Sequence, residues 1–466
     1  MYVQSLHSGQ AILMARQRED TGLRKIFRIS VLSGVFGQIF NTLSGSGSAF
    51  LTKFAIMLNA TPLQFAILSA IGQLSQIFQP IGAFVTRKRT KRKGVVLTLQ
   101  CIGCGIVLLY GILPFTFFSG NTIYAFLLLF FISVSLLSIA SNAWIGWISD
   151  VVPLRVRGRF FSVLSQYVML TAVIVGYGFS LFIDHFSTGG GKVFRVEEGT
   201  FFTTENLPLG FAVVFFVAVV AACSGLGVLS RLPEKEKKIE EEGTSGMFFL
   251  PIKDDNFRRF LLYNCWWMLA VGIGAPFWQP FMMQKLRMSL FDVQIYSSIN
   301  IVAALLVLRP WGRLIDVYGN KTAMRLIILL GGFNPMVWLF VTPQNYPVLY
   351  LEAITSGIMW AGAGLVATNF VLSIAPNERR QLYSGVSGAF SGLAMMTTML
   401  ISGIFLPQNI EIGSILLEPE QVLFGLSGIA RWSAQIPLSL VREPKSGSVS
   451  EAIIFFIREL KPRIMK

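Results

Sequence analysis

Ionisable residues are scarce in this 466-residue sequence, where Asp, Glu, Lys and Arg together make up 14%, against ~25% in soluble domains. That shortage argues against a chain of ordinary soluble cores joined by polar linkers. Histidine is rarer still. The two that occur, His7 and His185, lie too far apart to share a site, and no nucleophile–His–acid set suggests itself. Four cysteines are present, and Cys101 and Cys104 form a C-x-x-C. The pair sits in an apolar run with no second pair or histidine nearby, so it reads as small buried side chains rather than metal or redox chemistry. Gly189-Gly-Gly-Lys192 lacks the Ser or Thr that follows the lysine of a phosphate loop, which argues against nucleotide hydrolysis. The chain is not expected to be an enzyme, to use a cofactor or to bind a metal.

What fills the sequence instead is apolar. Hydrophobic residues make up 53% and the mean hydropathy is +0.62. A helix needs ~20 mostly apolar residues to cross the ~30 Å hydrocarbon layer, and such segments recur along almost the whole chain. Twelve are expected, near Phe27–Phe50, Leu63–Val85, Val95–Phe117, Ile123–Trp147, Phe160–Ile183, Leu209–Ser230, Phe260–Met282, Val293–Leu308, Thr322–Val341, Val348–Leu372, Ser384–Leu406 and Gln421–Val441. The longest polar stretch, Arg231–Arg259, falls between the sixth and seventh and contains the charge run Glu234–Glu242. The fold class is therefore an all-α membrane protein of twelve transmembrane helices in two six-helix halves, 27–230 and 260–442. An N-terminal segment 1–26, a linker 231–259 and a tail 443–466 complete the chain. The tail's apolar run, Ala452–Ile457, is too brief to span and is expected at the membrane surface or packed on the protein.

The positive charges test this topology independently. With the N-terminus inside, 33 of the 39 Lys and Arg fall on inside segments and 5 on outside loops, leaving Arg431 within a span. That asymmetry is the positive-inside signature and places both termini in the cytoplasm. It also accounts for the net charge of +15 and the pI near 9.8. The basic excess orients the chain and meets anionic headgroups, so nucleic acid is not an expected partner. Met1–Lys25 is polar and does not read as a signal peptide.

Two pairs of loops correspond across the halves. Gly82 to Lys93, after span two, resembles Gly312 to Lys321, after span eight, 230 residues later. Asp150 to Arg159 matches Pro376 to Arg380, with Pro153 and Pro376 separated by 223 residues and an Arg four positions after the proline in both. Two pairs at nearly one offset argue for duplication, as in the parallel repeats of many secondary transporters. Together with Gly312-x-x-x-Asp316-x-x-Gly319-x-Lys321, this organisation resembles the major facilitator superfamily. Arg313 adds a basic residue beside the motif, whereas the first-half loop departs from it with Thr86 and Thr90. The stretch Trp147–Phe161 also resembles bacterial members carrying Asp, Pro and Arg-Gly-Arg between spans four and five.

The resemblance implies a secondary transporter that moves a small solute by alternating access, monomeric, in the plasma membrane (the bacterial inner membrane). The alternative is a protein of the same fold that senses or scaffolds and moves nothing. A cytoplasmic gate is expected at Gly312, Arg313, Asp316, Gly319 and Lys321, joined by Asp150, Arg157 and Arg159. Asp316 would face the N-terminus of span five, where the helix dipole favours an acid. The plainer reading is that these charges only fix topology and bind lipid.

Polar residues inside spans mark the pathway, because burying polarity in lipid is costly. Span one places Gln38 and Asn41 on one small, polar face with Ser44, Gly45 and Ser48, and span two repeats this with Gln73 and Gln76. Asn300 and Arg431 add mid-span polarity. The family's cavity-lining spans one, four, seven and ten raise Gln38, Asn41, Asn142, Trp267 and Trp360. For any single amide the alternative is an interhelical hydrogen bond, worth ~0.6 kcal/mol on average. Glu352, inside span ten, is the first candidate for reversible protonation and Asp184, at the end of span five, the second. Span five has Gly176-Tyr-Gly178 in place of the Gly-Pro signature of family antiporters, so nothing favours proton-coupled drug export.

Overall fold

Helix ends are written locally, in residues that satisfy the four backbone N–H groups a helix leaves unpaired. The computed structural model describes residues 24–78, 81, 91–116, 121–151, 154–186, 204–234, 250–376, 379–412, 415–443 and 447–464. Thr86 and Thr90, most of the linker charge run, Gly189–Lys192, Glu378 and the side chains of Asp150, Arg155, Arg157 and Arg159 lie outside the described residues.

The chain forms two compact units, Met1–Phe50 with Phe78–Phe182 and Glu205–Glu241, and Leu51–Ile77 with Ile183–Thr204 and Glu242–Lys466. The first contains α1 (24–44), α4 (Lys93–Thr116), α5 (Thr122–Val151), most of α6 (Leu154–Asp184) and α7 (Leu207–Leu229). Helix α4 packs between α5 and α7. Gly111 lets α4 approach α7 closely, since a Cβ there would lie 3.0 Å from Ala212 Cα. Next to it the Tyr110 ring meets Phe126 and Phe215 edge-on at 5.2 and 5.6 Å, a favoured aromatic geometry.

The second unit contains α2 (Ala49–Met57), α3 (Pro62–Gln76), α8 (Asp255–Gly274), α9 (Leu290–Val337), α10 (Val348–Ile374), α11 (Arg380–Ile404), α12 (Pro419–Ser433), α13 (Gln435–Leu440) and α14 (Val449–Ile464). Capping boxes start three of these helices, from Thr61 and Gln64, Ser289 and Asp292, and Glu418 and Gln421. The core gathers aromatics from α8, α9 and α10, among them Phe257, Phe260, Trp311 and Phe370. Gly357 brings α10 against α9, where a Cβ would collide with the Asn300 carbonyl, and Gly403 does the same for α11 against Ala66 of α3.

Among the described residues nine helices are long and apolar enough to cross a membrane. One of them, Leu290–Phe340, runs for 51 residues and is interrupted at Gly319, whose φ of 83° and ψ of 168° are non-helical. That backbone region is essentially closed to residues with a Cβ, so the glycine makes the turn that the motif implied. The expected first span differs from the structure. Its helix ends at residue 44, and a turn over 45–48, with Gly47 at φ +80°, precedes α2. The small polar run Ser44-Gly-Ser-Gly-Ser48 has low helix propensity, and Ser48 Oγ donates to the Thr42 carbonyl at 2.6 Å. A second departure from the all-helical expectation is a short hairpin, Ile410–Ile412 paired antiparallel with Ile415–Leu417. The tail forms α14, which is packed on α9: Phe456 lies 4.6 Å from Trp311 and Phe455 5.5 Å from Tyr318, centroid to centroid, and Glu459 pairs with Arg313.

Both units use the same device at one helix start. In the first, Glu234 accepts from the backbone N–H groups of Arg92 and of Lys93 (2.7 Å), while Lys93 Nζ donates to the Leu232 carbonyl at 3.2 Å. In the second, Glu443 accepts from the backbone N–H groups of Asn320 and Lys321 at 3.0 and 2.6 Å, and Lys321 Nζ donates to the Ser439 and Val441 carbonyls at 2.8 and 2.7 Å. In each unit an acid that follows a later helix thus caps an earlier one, and a lysine at that start returns the contact.

Gly319→Ala should destabilise the protein by ~1–3 kcal/mol, read as a lowered melting temperature in detergent. Glu443→Ala and Glu234→Ala each remove charge-assisted hydrogen bonds worth ~1.5–3 kcal/mol apiece; both should melt earlier than the wild type, and equal melting would show that the clamps carry no stability.

Candidate functional site

Each unit encloses a polar cavity of its own. In the first, α1 presents Ser30, Ser33, Gly34, Gly37, Gln38 and Asn41 along one face to a space of about 370 Å³, which Gln100, Ser141 and Trp144 also line. The four-residue spacing that suggested this face puts these small and amide side chains on a single stripe. Gln38 Nε2 donates to Thr42 Oγ1 at 3.1 Å, so this amide also serves its own helix. Ser30 Oγ and Gln100 Oε1 are buried and have no hydrogen-bond partner among the described residues, which marks the cavity as a place where polar groups wait for one.

The second unit's cavity, about 340 Å³, lies among α8, α9, α10, α11 and α12 and is lined by Gln279, Tyr296, Asn300, Asn334, Trp338, Glu352, Ser356, Trp360 and Arg431. Glu352 is 5% exposed and accepts a hydrogen bond of 2.8 Å from the Tyr296 hydroxyl. Arg431 is 3% exposed. Its Nη1 donates to the Gly331 carbonyl at 3.1 Å, while its Nε is buried without a partner among the described residues. Glu352, Tyr296 and Arg431 line the same space. Asn334 is bonded to Thr355 at 2.9 Å, and Gln279 Oε1 accepts from Thr52 Oγ1 at 2.6 Å. A buried cation and a buried carboxylate thus share one cavity with amides and aromatic rings. Such a lining can hold a polar solute by hydrogen bonds and contact its apolar parts.

The sequence candidates therefore divide. Gln38 and Asn41 line the first cavity, and Asn300, Trp360, Arg431 and Glu352 meet in the second. Trp267 is buried against Gly331 and lines a neighbouring space of about 150 Å³, which Trp360 also borders. Half-buried Asn142 and Gln73, and exposed Gln76, line none of these three spaces. Asp184 does different work, accepting from the backbone N–H groups of Leu290 and Phe291 at 3.0 and 2.8 Å and so capping α9. Of the loop motif, Gly312 lies within α9, Gly319 breaks it, Lys321 joins the Glu443 clamp, and Arg313 pairs with Glu459. Asp316 is exposed and takes no part in the hydrogen bonds or ion pairs among the described residues. The side chains of Asp150, Arg157 and Arg159 lie outside those residues.

Sequence reading missed Tyr296, Trp338, Ser356, Ser30 and Gln100. A usable signal existed for Tyr296: from Ser289 to Asn300 the helix carries Tyr296, Ser297 and Asn300 within little more than one turn, a polar cluster in an apolar span.

Residues 259–417 match the family model described as Major Facilitator Superfamily. No curated protein matches the chain significantly. Among solved structures, a variant of the nucleoside transporter NupG superposes with a TM-score of 0.64 at 14% identity, over 89% of this chain and 100% of that one. A D-xylose-proton symporter gives 0.65 at 16% identity, over 91% and 99%. The xylose transporter XylE from E. coli, in an inward open conformation, gives 0.58 at 15% identity, over 92% and 98%. The chain thus has the multi-pass fold of major facilitator superfamily transporters and carries that superfamily's sequence pattern across residues 259–417.

Proposed function

We propose that the protein is a secondary transporter that moves a small polar solute across the plasma membrane by alternating access of two six-helix halves. The observation that carries this reading is the second unit's cavity, where Glu352, Tyr296 and Arg431 sit buried among apolar helices. Ionisable groups held inside membrane-spanning helices cost several kcal/mol and add nothing to a purely structural bundle. The fold relatives named above, transporters of a nucleoside and of xylose, support transport as the activity.

Twelve spans account for the nine long helices. The 51-residue segment broken at Gly319 supplies two spans. Pro62–Gln76 and Pro419–Ser433, each 15 residues, are the cores of two more. In this arrangement both termini are cytoplasmic and the loop motif Gly312–Lys321 faces the cytoplasm. There Asp316 and Arg313, with Asp150, Arg157 and Arg159, form the gate that holds the cytoplasmic ends together and releases them as the halves rock. Gln38, Asn41, Asn300, Trp360 and Arg431, which line the two cavities, contribute to solute binding, with Trp267 in the space that Trp360 also borders. Glu352 carries the coupling proton. Asp184, committed to two backbone N–H groups, holds the start of α9.

Uptake into proteoliposomes, measured over a panel of small solutes with and without an inward proton gradient, tests the reading: a solute should accumulate above equilibrium only with the gradient. Glu352→Gln should abolish accumulation but spare exchange of labelled for unlabelled solute. Asp184→Ala should instead lower the melting temperature, by the ~0.5–2 kcal/mol typical of a lost cap, and still accumulate solute. Equal loss of accumulation in the two variants would remove Glu352 from its assigned role. Asp316→Asn should shift the balance of outward-open and inward-open forms, read by cysteine accessibility; an unchanged balance would leave the gate without its acid.

A further inference from the structure

The cavity of the second unit also defines a class of solute. Among the described residues Arg431 is its one cationic lining residue and Glu352 its one anionic lining residue. From α9 the Tyr296 hydroxyl donates to Glu352, and Arg431 of α12 lines the same space. The lining residues from α8 and α11 carry no titratable group. Arg431 spends Nη1 on the Gly331 carbonyl and keeps Nε buried and unpartnered among the described residues. A carboxylate oxygen is the acceptor that matches an arginine N–H edge best. Trp338 and Trp360 line the same space, and such rings accept the apolar remainder of a small organic acid.

From this geometry we infer that the cavity takes small organic monoanions bearing a carboxylate, which bind Arg431 when Glu352 is protonated. With Glu352 ionised, its charge and that of Arg431 cancel, and an added anion would meet a carboxylate already neutralising the site. One proton on the Glu352 carboxyl leaves the guanidinium unbalanced, and one bound anion restores neutrality. Proton and solute then enter together in a one-to-one ratio, because neither alone leaves the buried site neutral. No bond other than the O–H of Glu352 forms or breaks. The inference rests on the carrier reading for its physiological use, but the binding step stands apart from transport.

The test is equilibrium binding of radiolabelled benzoate and pyruvate to the purified full-length protein in detergent, with tryptophan fluorescence as a second readout. It is run at about pH 5.5, where both acids remain anions, and at about pH 8. At least one should bind roughly tenfold or more tightly at the lower pH, a coupling of ordinary size. Its neutral amide should not compete. Glu352→Gln should bind it equally at both pH values, since glutamine fixes the neutral form. Arg431→Gln should lose binding at both, and Arg431→Lys should retain part of it. Should Arg431→Gln fail to fold, the pH-independence of Glu352→Gln still decides the matter. Absence of binding for both acids, competition by the amide, or an unchanged pH dependence in Glu352→Gln would overturn the inference. Proteoliposome uptake separates the two readings. Binding without uptake sinks the carrier and keeps the site, whereas accumulation of a neutral solute with no anion binding does the reverse.

Discussion

A hydrocarbon layer offers no hydrogen-bond partner, so every polar group inside it must be satisfied by the protein or held for a purpose. Most features of this chain follow from that constraint. Backbone groups are absorbed by helices, and helix starts are closed by Thr61, Ser289 and Glu418 through their capping boxes. Where the chain must turn, the N–H groups freed at Asn320 and Lys321 meet the Glu443 carboxylate, and those at Arg92 and Lys93 meet Glu234. Mid-span hydroxyls behave the same way: Ser427 donates to the Ala270 carbonyl at 2.7 Å and Ser133 to that of Gly103 at the same distance.

The two cavities differ in character. Among the described residues the first is lined by hydroxyls, amides, one tryptophan and apolar side chains, without a charged group. The second holds the Glu352–Tyr296 hydrogen bond and Arg431. Both units carry the same clamp and cavities of comparable volume, but among the described lining residues carboxylate and guanidinium groups occur in the second alone.

The multi-pass helical architecture was legible because long apolar runs are a strong, repeated signal. Gly319 was legible as a turn because its motif spacing left little else for a glycine there to do. The end of the first helix at residue 44 was not. Ser44, Gly45 and Ser48 fit a helical face as well as a turn, and only the Ser48–Thr42 bond and the positive φ of Gly47 decide between them. Gln38, Asn300, Glu352 and Arg431 could be named as isolated polar residues. Their grouping could not be foreseen, since Tyr296, Glu352 and Arg431 come from three helices whose packing has no local signature. Asp184 shows the converse limit. Its place at a helix end suggested chemistry, whereas its partners, the Leu290 and Phe291 N–H groups, lie over a hundred positions away in the chain.

The clamps also impose an order in time. Glu443 emerges from the ribosome 122 residues after Lys321, whose N–H group it receives, which at ~5–20 residues per second is a delay of roughly 6–24 s. Glu234 follows Lys93 by 141 residues. During that interval the earlier helix has its length but not its cap. Each of these helix starts therefore waits for a residue made much later, and the chain carries two internal signals that the stretch between has been fully made.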